Sequence, residues 1–361
     1  MVGLAGSHLI MLKPFKFGNV SVGKKPIILA EAGVNHNCNL RLAERLISAA
    51  ARAGADVIKF QSYKASELVI KKSPRFWSWD GEKKINGTQY DSYSELDKFN
   101  EQDYLSLMKI CKKYRIEFMT TPFDVKFVDF FDKAGMKAFK VASCDITNYQ
   151  LLKAIAKTGK PVFLSTGASN LDEIKTANKF LKKNGSNNVV ILHCNLCYPT
   201  IPEDANLGAM IHLRSQFKNN YIGLSDHTLG IDMTTAALAL GAVAIEKHFT
   251  VNKKLKMSAD HWLSVDEEEL NKLVINLNSI YRSLQNPKKK VLKSELKTRK
   301  LARRSLVTNC YIKKGQIIKQ THLTAKRPGT GISPMEIEKL VGKKTNRNLS
   351  PDTIIKRNDF I

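Results

Sequence analysis

No stretch of this 361-residue chain comes near the roughly 20 consecutive apolar residues that a membrane-spanning helix needs. No membrane partner is therefore expected. Residues 1–10 lack a charged start followed by an apolar signal core, so a cytoplasmic location is expected. Cysteine is sparse: Cys38, Cys111, Cys144, Cys194, Cys197 and Cys310 show no framework spacing and read as free thiols of a reducing compartment. Cys194 and Cys197 make one CxxC without a second pair, too little for a zinc site. Acidic residues are scarce as well, 33 Asp and Glu against 58 Lys and Arg, a net charge of +25. Such an excess raises the question of nucleic acid, but it is mostly lysine spread along helical segments, with no interleaved stacking aromatics and no nucleic-acid module motif. A solvated lysine surface, or a field that draws in small anionic substrates, fits better, and no nucleic-acid partner is expected.

What the sequence does have is a hydrophobic fraction of 43% and a regular alternation of strands and helices. Phe15, Phe17, Val20 and Val22 alternate across Gly18-Asn19 as a short hairpin that would plug the bottom of the next domain. Apolar runs at 27–30, 57–60, 116–119, 138–141, 162–164, 189–192, 221–224 and 243–245 read as strands, each followed by a helical pattern. Eight strand and helix units call for a (β/α)8 TIM barrel, since a doubly wound sheet usually stops at five or six strands.

In that fold the chemistry sits where strands end. The strand ends here carry Glu31, Lys59, Gln61, Thr120, Thr121, Lys140, Ser143, Ser165, Thr166, His193, Ser225, Asp226, His227, Glu246 and His248. Any one of them is explained as a strand stop, but a full set of polar tips is not. Lys59, Lys140 and Ser143 point to an anionic ligand, phosphate or carboxylate. His227 and His248 close two consecutive strands and would face one pocket, where imidazoles bind a divalent metal.

The connection 63–100 is long and aromatic, with Phe76, Trp77, Trp79, Tyr90 and Tyr93 among Gly81 and Gly87; it reads as a lid, as an aromatic wall for a sugar, or as an insertion packed on itself. Four regions result: a hairpin cap at 1–25, the barrel at 26–285, a Lys- and Arg-rich linker at 286–304 broken by Asn286-Pro287, and a small unit at 305–361.

Nine short motifs, in order along nearly the whole chain, resemble the sialic acid (N-acetylneuraminate) synthase family. They are Glu31-Ala32-Gly33-Val34-Asn35-His36, Lys59-Phe60-Gln61, Thr121-Pro122-Phe123, Lys140-Val141-Ala142-Ser143, Ser165-Thr166-Gly167, Tyr198-Pro199, Gly223-Leu224-Ser225-Asp226-His227-Thr228, Glu246-Lys247-His248-Phe249-Thr250 and Lys326-Arg327-Pro328-Gly329. The tail resembles that family's antifreeze-like (SAF) domain. The resemblance implies condensation of phosphoenolpyruvate with an N-acylated hexosamine, N-acetylmannosamine or a 2,4-diacetamido-trideoxyhexose, to a nonulosonic acid and phosphate. It implies a divalent metal, Mn2+ or Mg2+, and a domain-swapped homodimer. It further implies Glu31 as the base that activates water, His227 and His248 as metal ligands, and Lys59, Thr121, Lys140, Ser143, Ser165 and Ser225 as phosphoenolpyruvate ligands. Gln61, Tyr198, Asp260 and, from the other subunit, Arg327 would meet the sugar. Legionaminic or pseudaminic acid synthase specificity stays open, as does another metal-dependent phosphoenolpyruvate or pyruvate aldol-type barrel. A carbohydrate or nucleic-acid binding protein on a dead barrel is the reading outside enzymes.

Overall fold

A computed structural model describes residues 12–77, 87–286 and 288–361. Trp79 and Gly81 of the aromatic connection, residues 1–10 and Pro287 of the linker lie outside them. The chain divides into two compact units, Met1–Pro287 and Lys288–Ile361.

The first unit opens with the antiparallel hairpin of β1 (Phe15–Phe17) and β2 (Val20–Val22). Eight parallel strands follow: β3 (Ile27–Gly33), β4 (Val57–Ser62), β5 (Glu117–Pro122), β6 (Phe139–Val141), β7 (Val162–Ser165), β8 (Val189–Cys194), β9 (Tyr221–Asp226) and β10 (Ala244–His248). They pair in the order β5-β4-β3-β10-β9-β8-β7-β6. The first and last strands in sequence are thus neighbours, and β5 and β6 at the two ends of the row lie side by side, giving a nearly closed barrel. Around it run α1 (Leu40–Ala53), α2 (Ala65–Leu68), α3 (Gln89–Leu96), α4 (Glu101–Tyr114), α5 (Val125–Lys133), α6 (Tyr149–Lys157), α7 (Leu171–Lys183), α8 (Gly208–Gln216), α9 (Asp232–Ala239) and α10 (Glu267–Ser283). Among the described residues no helix is long and apolar enough to cross a membrane.

Strand alternation explains why one sequence builds both a core and a pocket. Successive side chains point to opposite faces. Ile28, Ala30, Ile58, Phe60, Phe118, Phe139, Val141, Leu164, Ile191, Ile222 and Ile245 face the helices. The opposite parity begins apolar, with Ile27, Leu29, Val57, Met119, Ala138, Phe163, Val190, Leu192, Tyr221 and Ala244 filling the barrel's lower interior. Phe17, Val20 and Val22 of the hairpin join that cluster, Phe17 meeting Phe163 edge-on with ring centres 5.6 Å apart. The plug expected from the sequence is therefore present.

Most strands run one to three residues further than their apolar runs, because the polar tips still satisfy the ladder: β4 continues through Gln61 and Ser62, and β9 through Ser225 and Asp226. The described part of the 63–100 connection packs partly on itself and partly against the segments that follow β3 and β5. Tyr63 meets Tyr93 and Phe123 edge-on, and Val34, Tyr63 and Leu96 form a buried cluster. A Thr88–Asp91 capping box starts α3 there.

Within 286–304, read from the sequence as a linker, lies the short helix α11 (Leu296–Ala302). Leu and Lys are good helix formers, and no Gly or Pro interrupts those seven residues. Beyond it β11 (Ser305–Thr308) pairs antiparallel with β12 (Leu323–Lys326) over a core of Leu306, Ile312, Ile318, Leu323, Leu349 and Ile355.

The turn after β3 buries His36, whose ring stacks on Phe99 at 4.3 Å and whose Nδ1 accepts the Cys38 N–H at 3.1 Å. Burial pushes its pKa down from 6.5 to about 3. Between those two values the unfolded chain takes up a proton that the folded chain refuses. Stability should therefore fall with falling pH through this window, by about 1.4 kcal/mol per pH unit for one proton. His36→Phe keeps the stack and should flatten that dependence in denaturant unfolding at pH 7 and pH 5. An unchanged slope would assign the acid sensitivity elsewhere.

Candidate active site at the barrel mouth

The interior parity turns polar at the carboxyl ends of the strands, and register brings the tips together. Glu31 lies across from His248 on β10 and from Lys59 on β4; Gln61 lies across from Thr121, and Glu246 from Ser225. Lys59 Nζ sits 2.5 Å from Glu31 Oε2 and donates to Thr121 Oγ1 at 2.9 Å. Gln61 Nε2 donates to Glu31 Oε1 at 3.1 Å. Across the mouth, Ser225 Oγ donates to Glu246 Oε1 at 2.9 Å, and Lys140 Nζ stands 3.7 Å from the same oxygen. Ser143 Oγ accepts the Gly167 N–H at 2.9 Å. The hydroxyl of Ser165 and Glu246 Oε2 are buried with no hydrogen-bond partner. Buried polar atoms of that kind mark room for a ligand.

Gly33 keeps the mouth open. Its backbone is left-handed, φ +51°, where the β3–β4 register shifts. A Cβ there would stand 3.3 Å from Glu31 Oε1, 3.4 Å from Gln61 Nε2 and 3.6 Å from Asp260 Oδ2, so these three groups converge on one point.

The two buried carboxylates titrate apart. Burial raises the pKa of Glu31, against the opposing pull of Lys59. Burial acts the same way on Glu246, but the ammonium groups of Lys140 and Lys59 and the Ser225 hydrogen bond outweigh it and hold that carboxyl at about 2. For Lys59, burial works against the charge, and Glu246 and Glu31 together overcome it, raising its pKa. Two carboxylates driven apart in this way are suited to different roles: Glu31 to take a proton, Glu246 to stay charged.

His227 and His248 face each other with ring centres 5.2 Å apart, and Tyr198 lies over His227 at 4.2 Å. His227 Nδ1 is 2.6 Å from the Asn195 carbonyl oxygen. A carbonyl only accepts, so Nδ1 carries a proton, and in the neutral ring Nε2 would hold the lone pair that a metal ligand needs. His248 Nδ1 lies 3.4 Å from Asp260 Oδ2. Two imidazoles sharing an ion at about 2.1 Å would have ring centres roughly 5 Å apart, which these do. Among the described residues no third His, Cys, Asp or Glu completes a ligand set with them. The ring spacing fits two donors to one ion, whose remaining positions would fall to water or substrate.

Twelve of the thirteen residues to which the resemblance gives a role belong to the barrel unit, and most are linked at its mouth by the contacts above. Arg327 is exposed at the end of β12 in the other unit. Glu246 had been noticed only as a strand tip; its parity with His248, two residues on, was the available signal. Cys194, on the interior parity of β8 with its Sγ 4.0 Å from His227 Nδ1, was legible in the same way. The Asn195 carbonyl that fixes the imidazole was not, because a backbone acceptor in a loop leaves no mark in the sequence.

A (β/α)8 barrel with buried ammonium, carboxylate and hydroxyl groups and an imidazole pair at its mouth, followed by a small β unit, is the class that fold and geometry define. The NeuB family model matches residues 46–289 and the SAF domain model residues 303–361. The chain belongs to the NeuB family. It is 41% identical to the N,N'-diacetyllegionaminic acid synthase of Campylobacter jejuni, over 92% of this chain and 99% of that one. With the synthase of the same name from Legionella pneumophila it shares 39% identity, over 91% and 92%. The crystal structure of the N-acetylneuraminic acid synthetase from Leptospira borgpetersenii superposes with a TM-score of 0.71 at 37% identity, over 81% of this chain and 96% of that one.

Removing one partner of a buried pair leaves an uncompensated charge. Lys59→Met is expected to cost about 3–5 kcal/mol, and Lys59→Met with Glu31→Gln to recover most of it. A double-mutant cycle in urea measures this; additive losses would mean that the two groups do not sense each other.

Proposed function

We propose that this chain joins phosphoenolpyruvate to the open-chain aldehyde of an N-acylated hexosamine, giving a nonulosonic acid and phosphate. The observation that carries the reading is the buried Glu31 carboxylate. It is held between Lys59 and Gln61, beside paired imidazoles and opposite a second cluster of ammonium and hydroxyl groups.

Lys59, Thr121, Lys140, Ser143, Ser165 and Ser225 would take the phosphate and carboxylate of phosphoenolpyruvate, and fixing both ends orients its carbon 3 toward the sugar. The π pair between carbons 2 and 3 then forms the new bond to the aldehyde carbon, whose own π pair moves onto the aldehyde oxygen; that oxygen takes up one proton, matching the one water gives up. Glu31, a stronger base than an exposed carboxylate, accepts a proton from water as the oxygen adds to carbon 2. The tetrahedral centre collapses to the keto acid, the carbon–oxygen bond to phosphate breaks, and the phosphate leaves among the ammonium groups. Gln61, Tyr198 and Asp260 would meet the sugar. A divalent ion, Mn2+ or Mg2+, held by His227 and His248, would supply Lewis-acid polarisation of the aldehyde. The two legionaminic acid synthase relatives favour a 2,4-diacetamido-trideoxyhexose over N-acetylmannosamine as the acceptor.

The chain also acts as a domain-swapped homodimer in this reading, with Arg327 serving the sugar's N-acyl group in the other protomer's barrel. Val291, Leu292, Leu296 and Leu301 support it, being apolar side chains left exposed on the segment that follows the barrel.

Phosphate release from phosphoenolpyruvate, assayed with a panel of N-acylated hexosamines with and without manganese, is expected to be sugar-dependent and fastest with the diacetamido sugar. Binding of phosphoenolpyruvate without turnover on any sugar would overturn the synthase reading. Co-expressed Glu31→Gln and Arg327→Ala chains test the swap. Each is impaired alone, but the mixed dimer has one intact site, so about a quarter of all sites should be restored. A mixture no more active than the average of the two variants would remove the cross-subunit role.

A further inference from the structure

The mechanism above leaves unused one of the best-buried charged pairs in the barrel. Lys247 and Asp226 are register partners on β10 and β9, with side chains 1% and 3% exposed. Their parity is opposite to that of Glu246, His248 and Ser225, so they lie behind the strands, away from the pocket. Lys247 Nζ contacts Asp226 Oδ2 at 2.6 Å and donates to the Thr228 carbonyl at 2.5 Å. Asp226 Oδ1 accepts the Thr228 N–H at 2.9 Å, and Oδ2 accepts the Thr228 hydroxyl at 3.1 Å. The residues on both sides of His227 are thus tied to one ammonium group, which itself immediately precedes His248 in the chain. The His227 carbonyl is anchored separately, by the Thr200 N–H at 2.9 Å.

We infer that the Lys247–Asp226 pair is a positioning device that sets the backbone angle and spacing of His227 and His248 from behind; the inference rests on the metal reading proposed above. A buried ion pair is a poor way to gain stability, since a well-packed apolar pair of similar volume does as well or better. Directed bonds do what packing cannot. A cation with fixed acceptors on β9 and on the turn after it couples the two strand ends that carry the imidazoles, and groups behind a ligand commonly decide how well it binds. Lys247 and Asp226 touch no substrate in this picture and act only through the histidines.

Manganese(II) alone is the probe, its free concentration read by electron paramagnetic resonance while the full-length protein is titrated in. Asp226→Leu with Lys247→Met removes both charges at similar volume. It is expected to weaken manganese binding about 10- to 100-fold, while phosphoenolpyruvate affinity by calorimetry stays within about twofold of wild type. Thr228→Val, which deletes one hydroxyl bond to the same pair, should give a smaller loss in the same direction and decides the matter if the double variant does not fold. Wild-type manganese affinity in the folded variants overturns the inference. Equal loss of manganese and phosphoenolpyruvate binding does so too, since it would mean general distortion of the barrel. Wild-type protein that binds no manganese would instead remove the metal reading itself.

Discussion

Glu31 and Lys59 meet at 2.5 Å with almost no exposure to solvent, and the rest of the first unit is arranged so that this pairing is tolerable. Two charges taken out of water are stabilised only if the geometry is good and the remaining lone pairs and protons find partners. Thr121 and Gln61 provide those partners from neighbouring positions on β4 and β5. The pair needs a closed sheet, because a sheet open beside β3 would admit water and weaken each of these contacts. Pairing of the first strand with the last supplies that closure.

The apolar lower half of the barrel has the complementary task. A β3 that stopped at Ala30 or a β4 that stopped at Ile58 would present only core; the next interior position adds Glu31 and Lys59 to the same face. The polar mouth is therefore a continuation of the apolar interior, and the β1–β2 hairpin seals the other end with Phe17, Val20 and Val22. Stability and chemistry share one set of strands. Their neighbours explain the asymmetry of the two carboxylates: both are buried, but Lys140, Lys59 and the Ser225 hydroxyl outweigh burial at Glu246, whereas at Glu31 the pull of Lys59 does not.

Most of this was legible before any coordinates, for a physical reason. A parallel strand buried on both faces reads as a short apolar run, and the residue that breaks the run is the one at the pocket, so the eight strands and the polar tips emerged together. Motif register added roles to Glu31, His227 and His248 that spacing alone would have left as titratable groups. Three kinds of feature escaped. The polar ends of the strands looked like loop, because hydrophobicity stops before the ladder does. The helix at Leu296–Ala302 was hidden in a charge run, where helical and unstructured chain have the same composition. The turn around His227 depends on the Asn195 carbonyl and on Lys247 behind the sheet, contacts fixed by three-dimensional closure rather than by neighbours in sequence.

The division between strand tips and loops also bears on which sugar the barrel takes. On the proposed reading, the groups that handle phosphoenolpyruvate and water sit on strands whose register leaves them no freedom. The acceptor sugar would instead meet the rim, where Tyr198, Met257 and Trp262 remain close to half exposed and come from connections that follow β8 and β10. Met257 even holds a left-handed backbone, φ 85°, in a segment with no ladder bonds to constrain it. A change of one deoxy or acylamino group alters hydrogen bonds and packing around that group, which a rim loop can supply without disturbing the buried pairs below. Relatives named for different nonulosonic acids can therefore share the interior while differing in the loops. The residues that set the acceptor in this chain are to be sought in 255–262 and in the described part of the aromatic connection, rather than among the strand tips that made the reaction recognisable.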